Sequence, residues 1–138
     1  MRLLIDANIL LDVLQNRTPH AAESSRIWKL CETGRVDGFV PALSFANLVY
    51  IMRKELDPER ILFTIRALSL IFTFADLRQA DLEKAAAMCW DDFEDAIQCV
   101  IAERIGADYI ITSNTADYLQ STVDAVTPAA FLDLYSSL

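Results

Sequence analysis

The chain begins with an apolar run that ends at Ile5, breaks at Asp6 and Asn8, and turns apolar again from Ile9. This predicts a strand over 2–5 and a short helix over 8–14. Thr18-Pro19 pairs a capping residue with a first-turn proline. It predicts a helix that carries Ala22, Ile27, Trp28 and Leu30 and stops near Gly34. Gly38-Phe39-Val40 reads as the second strand. From Ser44 to Lys54, Phe45, Leu48, Val49 and Met52 recur at helical spacing, and Asp57-Pro58 starts another helix by the cap-then-proline device. Leu70 to Phe74 reads as the third strand. Helices are predicted over 81–89 and from about Phe93 to Ile105, the latter stopped by Gly106 in a left-handed conformation. Tyr109–Ile111 and Asp124–Val126 read as strands, and Thr127-Pro128 caps a last helix.

Strands that alternate with helices predict an α/β fold with a parallel sheet covered on both faces. No repeat, linker or change of composition divides the chain, so residues 1–138 are read as one domain. No apolar run reaches the roughly 18 to 20 residues of a bilayer span. The N-terminus lacks the pattern of a signal peptide, and a cytoplasmic protein without membrane association is expected. Cys31, Cys89 and Cys99 match no metal spacing and read as small core residues of a reducing compartment. The formal net charge of −8 counts against simple electrostatic attraction to nucleic acid. It does not exclude a phosphodiester substrate, because a bound cation restores that attraction locally.

Ligands of open parallel sheets bind outside the carboxyl ends of the strands, so polar residues there are the first candidates. The first strand ends at Asp6 and Asn8. The strand at 109–111 leads into Thr112, Ser113 and Asn114, with Asp117 one turn further on, and a helix start contributes Asp92, Glu94 and Asp95. If Asp6, Asp95 and Asp117 converge, they form an oxygen-only site suited to Mg²⁺ or Mn²⁺. Asn8, Thr112, Ser113 and Asn114 would orient ligands through neutral hydrogen bonds. Simpler roles compete. Asp6 or Asn8 would serve equally as a turn residue or helix cap, and Asp92 has the spacing of a cap for the helix that bears Asp95. Glu94 lies about 100° around that helix from Asp95, so only one of them is expected to face the site squarely. Asp95 borders the apolar face of Phe93, Ala96, Ile97, Val100 and Ile101 and is the better candidate. Asp12, Asp76, Asp81 and His20 read as surface residues. Arg53, Lys54, Arg60 and Arg66 read either as one rim of a groove or as solvated charges, and Tyr50 and Ile51 as a docking surface.

The segments Leu-Leu-Ile-Asp-Ala-Asn-Ile-Leu-Leu-Asp, Phe-Glu-Asp-Ala-Ile-Gln and Asp-Tyr-Ile-Ile-Thr-Ser-Asn-Thr-Ala-Asp-Tyr resemble, in order and separation, a PIN domain. The resemblance spans essentially the whole chain. It implies a three-layer α/β/α fold around a parallel sheet and Mg²⁺- or Mn²⁺-dependent ribonuclease activity. For a small chain it also implies a VapC-like toxin role, with a cognate antitoxin and a homodimer. By position, Asp6, Asp95 and Asp117 match the metal-binding acids, while Asn8, Thr112 and Asn114 match supporting positions. Asn47 stands where the family usually has a glutamate, on the helix after the second strand. An amide oxygen there can orient a water or ligate weakly, but it brings no charge and cannot act as a general base. A PIN scaffold that binds RNA or protein without cutting therefore remains the rival reading. A receiver domain would need paired acids after the first strand and a late lysine, and a haloacid-dehalogenase-type phosphatase would need Asp-x-Asp where this chain has Asp6-Ala7-Asn8.

Overall fold

The computed structural model describes residues 1–138. Five strands form one sheet: β1 (Arg2–Ile5), β2 (Asp37–Pro41), β3 (Thr73–Ala75), β4 (Tyr109–Ile111) and β5 (Ala125–Val126). Their order is β3-β2-β1-β4-β5, and every pairing is parallel. Seven helices cover it: α1 (Ala7–Leu14), α2 (Ala21–Glu32), α3 (Ala42–Met52), α4 (Pro58–Ile71), α5 (Gln79–Met88), α6 (Phe93–Arg104) and α7 (Pro128–Ser136). The result is the α/β/α sandwich expected from the sequence.

Side chains alternate across a strand, so β1 feeds both cores. Leu3 and Ile5 join a cluster with Ile9 and Leu10 of α1, Ile27 of α2, Phe45 and Leu48 of α3, Leu68 of α4 and Phe131 of α7. Leu4 points the other way and joins Ala85 of α5 and Ala96, Ile97, Val100 and Ile101 of α6. Gly38 lets α2 lie close on β2: a Cβ built there would meet Cys31 Sγ at 2.6 Å and Phe72 Cδ1 at 2.9 Å. No helix is long and apolar enough to cross a membrane.

Several helix ends follow local sequence rules. Asp57 accepts from the Arg60 N–H ahead of α4, and Thr127 accepts from the Ala130 N–H ahead of α7, each with proline in the first turn. Gly106, at φ +69°, closes α6, while the Ala107 N–H reaches the Ala102 carbonyl, the long bond of a Schellman stop.

Other expectations are corrected. Thr18 caps nothing. α2 starts at Ala21 behind His20, which makes no side-chain cap bond, and Ala21 rather than Ala22 faces the core. The apolar run over 68–72 is helical as far as Ile71, because Leu68 and Phe72, four residues apart, fill the core; Leu70 is 88% exposed, and β3 pairs with β2 only from Thr73. Phe93 is exposed rather than part of the buried face. Cys89 is exposed in a left-handed conformation at the end of α5, whereas Cys31 and Cys99 are buried. Asp12 is buried and accepts from Ser24 Oγ at 3.2 Å, tying α1 to α2. Asp81 is buried too. It accepts from Arg104 through Nε at 3.0 Å and Nη2 at 2.9 Å and from the Arg78 N–H. Asp76 is exposed but completes that network through Arg78 and Arg104.

Candidate functional site

The strand order reverses between β1 and β4: the chain first builds outward to β2 and β3, then returns across β1 to place β4 and β5 on the other side. A crevice opens at the carboxyl ends of the two strands where such a reversal occurs. Ile5 pairs with Ile111, so the next residues, Asp6 and Thr112, emerge side by side into the crevice.

Asp6 takes the capping role weighed from the sequence, and its second carboxylate oxygen is held by Thr112. It is the N-cap of α1, accepting from the Asn8 N–H at 3.1 Å through Oδ1, while Oδ2 accepts from Thr112 Oγ1 at 3.1 Å. Its backbone N–H donates to the Ile111 carbonyl, extending the β1–β4 ladder by one bond. Burial raises its carboxyl pKa, and the hydrogen bonds from Asn8 and Thr112 partly offset that rise. Thr112 is wholly buried. It supports Asp6 from below and accepts from the Asn114 N–H at 3.1 Å, so one hydroxyl fixes both strand ends.

Asp95 stands in the first turn of α6, where its N–H donates to Asp92 Oδ1 at 3.0 Å. Asp92 is thus the cap that the spacing suggested. The Asp95 carboxyl pKa is pushed up to about 6, first by burial, then by the negative charges of Asp92 and Asp117 and, after the offsetting bond from Tyr118, by that of Asp6. Tyr118 OH lies 3.3 Å from Asp95 Oδ1 and 2.7 Å from Gln98 Oε1. Its phenol pKa is raised, chiefly by burial and then by Asp95 and Asp6. Asp117 lies on the 3-10 turn Thr115–Tyr118, its N–H bonded to the Asn114 carbonyl.

A concavity of about 220 Å³ is lined by Asp6, Asn8, Asp92, Glu94, Asp95, Gln98, Asn114, Asp117 and Tyr118. Asp6, Asp95 and Asp117 therefore share one space although they are far apart in sequence. Five carboxylates face it, and no lysine or arginine does. As the side chains stand, no three acidic, histidine or cysteine groups are close enough to grip one ion directly. The donors are all oxygens, and their mutual repulsion is uncompensated. Such a set suits a hard dication that keeps most of its water, as Mg²⁺ does.

Ser113 lines a separate concavity with His20 and Thr127 instead of joining the acids. Asn47 is solvent-exposed, on the wall of an adjoining cleft. Its Nδ2 donates to Glu94 Oε1 at 3.4 Å. The expected choice between Glu94 and Asp95 does not arise: both line the acid cavity, together with the cap residue Asp92 and Gln98 one turn on. Gln98 and Tyr118 close two of the quoted segments but are not among the site residues nominated from the sequence. Gln98 was within reach of it, since it follows Asp95 by three residues on the same helical face. The direction of the Tyr118 hydroxyl had no local signal. Arg53, Lys54, Arg60 and Arg66 line neither the cavity nor the cleft. Arg53 stacks 4.0 Å from the centre of the exposed Tyr50 ring, and Arg60 pairs loosely with Asp57.

Comparison with known proteins agrees with this architecture. The chain is 20% identical over 142 residues to Ribonuclease VapC1 of Aquifex aeolicus (strain VF5), covering 99% of this chain and 97% of that protein. A toxin-antitoxin complex from Klebsiella pneumoniae contains a chain that superimposes with a TM-score of 0.70 at 22% identity, over 91% of this chain and 97% of that one. VapBC-1 from nontypeable Haemophilus influenzae gives 0.70 at 14% identity, over 94% and 99%. The PIN domain family model matches residues 2–116. The chain belongs to the PIN domain family.

Proposed function

We propose that the protein is a divalent-cation-dependent endoribonuclease that hydrolyses RNA phosphodiester bonds as the toxin of a toxin-antitoxin pair. The observation that carries this reading is the cavity of five carboxylates with no cationic side chain at the switch point of the sheet. An RNA backbone cannot approach such a surface without a cation between them. The similarity to a VapC1 ribonuclease and to chains from toxin-antitoxin complexes supports the same reading.

Asp6, Asp95 and Asp117 would hold Mg²⁺ or Mn²⁺, which supplies charge neutralisation and Lewis acidity at the phosphate. The protein's own contribution is preorganisation. Thr112 and the Asn8 N–H fix the Asp6 carboxylate, and Tyr118 lies within hydrogen-bonding distance of Asp95. Asn8 and Asn114 offer neutral donors and acceptors at the cavity wall. With no histidine or lysine in the cavity, the proton of the attacking water passes to a carboxylate. We assign the antitoxin, and a second copy in a homodimer, to apolar surface outside the cavity: Tyr50 of α3 and Leu62, Phe63 and Leu70 of α4 are all exposed.

The rival is a PIN scaffold that binds RNA or protein without cleavage, and the uncharged Asn47 favours it. Purified protein incubated with single-stranded RNA and Mg²⁺ or Mn²⁺ separates the two. Cleavage is expected, abolished by chelator and reduced at least about a hundredfold by Asp6→Asn. Undiminished cleavage in chelator or in Asp6→Asn would refute the assignment; no cleavage by the wild type with either ion would favour the scaffold.

A further inference from the structure

The wall of the acid cavity continues into a narrower cleft between α3 and α6, of about 140 Å³, whose polar lining is Asp6, Asn8, Ser44, Asn47, Glu94 and Gln98. Packing leaves two features there unexplained. Ser44 is 3% exposed, and its Oγ has no hydrogen-bond partner, alone among the buried side-chain polar atoms of the protein. A buried hydroxyl left without a partner is costly, and such a group is met by something outside the chain, an ordered water or a bound ion. The second feature is the charge distribution. Helix α3 has no acidic residue, yet Asn47, one turn after Ser44, donates to a carboxylate that arrives from α6.

We infer that Ser44, Asn47, Glu94 and Asp6 form an oxygen-rich subsite for a hydrated divalent cation, with Glu94 supplying from α6 the negative charge that α3 lacks. This rests on the nuclease reading and deepens it by giving Glu94 and Ser44 roles there. Asn47 is a positioning residue. Its amide donates to Glu94 Oε1, whereas a carboxylate at position 47 would stand against Glu94 and repel it. Asp6 and Glu94 disfavour an anionic occupant. The volume accommodates about four waters at roughly 30 Å³ each. It is well below the roughly 300 Å³ at which small-molecule pockets begin. A dication that keeps its waters fits on both counts, and Ser44 Oγ then meets one of those waters.

The test is Mn²⁺ binding by titration calorimetry without RNA, on the wild type and on Glu94→Gln, Asn47→Glu/Glu94→Gln, Ser44→Ala and Asp95→Asn. Glu94→Gln is expected to weaken Mn²⁺ binding at least about tenfold, and the double variant, which returns the charge to α3, to recover most of that loss. Ser44→Ala is expected to weaken binding by a smaller factor while raising the melting temperature in EDTA, because the orphan is gone. If Glu94→Gln binds Mn²⁺ like the wild type while Asp95→Asn does not, the inference falls and the nuclease reading stands. A double variant no better than Glu94→Gln also overturns it, since the two positions would then not serve one subsite. A wild type that binds no Mn²⁺ ends both.

Discussion

Asp95 makes a demanding prediction: neutralising it should stabilise the cation-free protein while disabling it. Burial and the charges of Asp92, Asp117 and Asp6 raise its carboxyl pKa from the ordinary 3.8 to about 6. At 1.36 kcal/mol per unit, about two units correspond to an upper bound of about 3 kcal/mol of penalty for the ionised form. The side chain remains partly open to solvent, and screening reduces this to about 1 kcal/mol. Asparagine is close in shape and keeps an oxygen that can accept from Tyr118, so Asp95→Asn should recover that amount, or about 3 °C in melting temperature for a chain of this length. The folded pKa lies above the unfolded one, so the contribution of Asp95 is fully favourable below the ordinary carboxylate value and is lost as pH rises from about 4 to about 6. Calorimetric melts in EDTA should therefore show the variant ahead of the wild type at pH 7 and the gap closing near pH 4. Added Mn²⁺ should reverse the order at pH 7 by stabilising the wild type more than the variant. A variant that melts at or below the wild type in EDTA at pH 7 would refute the view that these carboxylates repel one another.

Two predictions concern the scaffold. Asp81→Ala removes the main partner of Arg104 and should cost about 2 kcal/mol in chemical denaturation, less than a fully buried pair because Asp76 still holds the guanidinium. Burial, the largest single influence, would raise the Asp81 pKa, but the hydrogen bonds from Arg104 and the Arg78 N–H, with the charges of both arginines, together lower it, so this stability is present above the usual carboxylate range and disappears as pH falls below it; an acid midpoint unchanged by the substitution would contradict this. Gly38→Ala forces a methyl group against Cys31 Sγ and Phe72 and should destabilise the fold by about 1–3 kcal/mol, with partial recovery in Cys31→Ala/Gly38→Ala. Equal stability of the single and double variants would show that the sulfur is not what the methyl meets.

Local patterns in the sequence were sufficient wherever an element is governed by its own residues. The alternation that places Leu3 and Ile5 on one face and Leu4 on the other, the proline-led caps at Asp57 and Thr127, and the glycine stop at Gly106 depend on contacts within a few residues. Asp6, Asp95 and Asp117 could be nominated because they sit at predicted strand ends and a helix start. Tertiary structure decided the rest. Which apolar residue of the 68–72 run faces inward depends on a core built by other segments, so Leu70 was misread. Asp81 was read as solvated because Arg104, 23 residues away, is invisible from its neighbourhood. Glu94 ranks below Asp95 by its place around the helix, yet both first-turn acids of α6 line the cavity. Its approach to Asn47, and the empty hydrogen-bonding position of Ser44, exist only because α3 and α6 meet over the carboxyl end of β1. A one-dimensional pattern carries what a residue prefers locally; which charge stands beside which is set by chain segments that folding alone brings together.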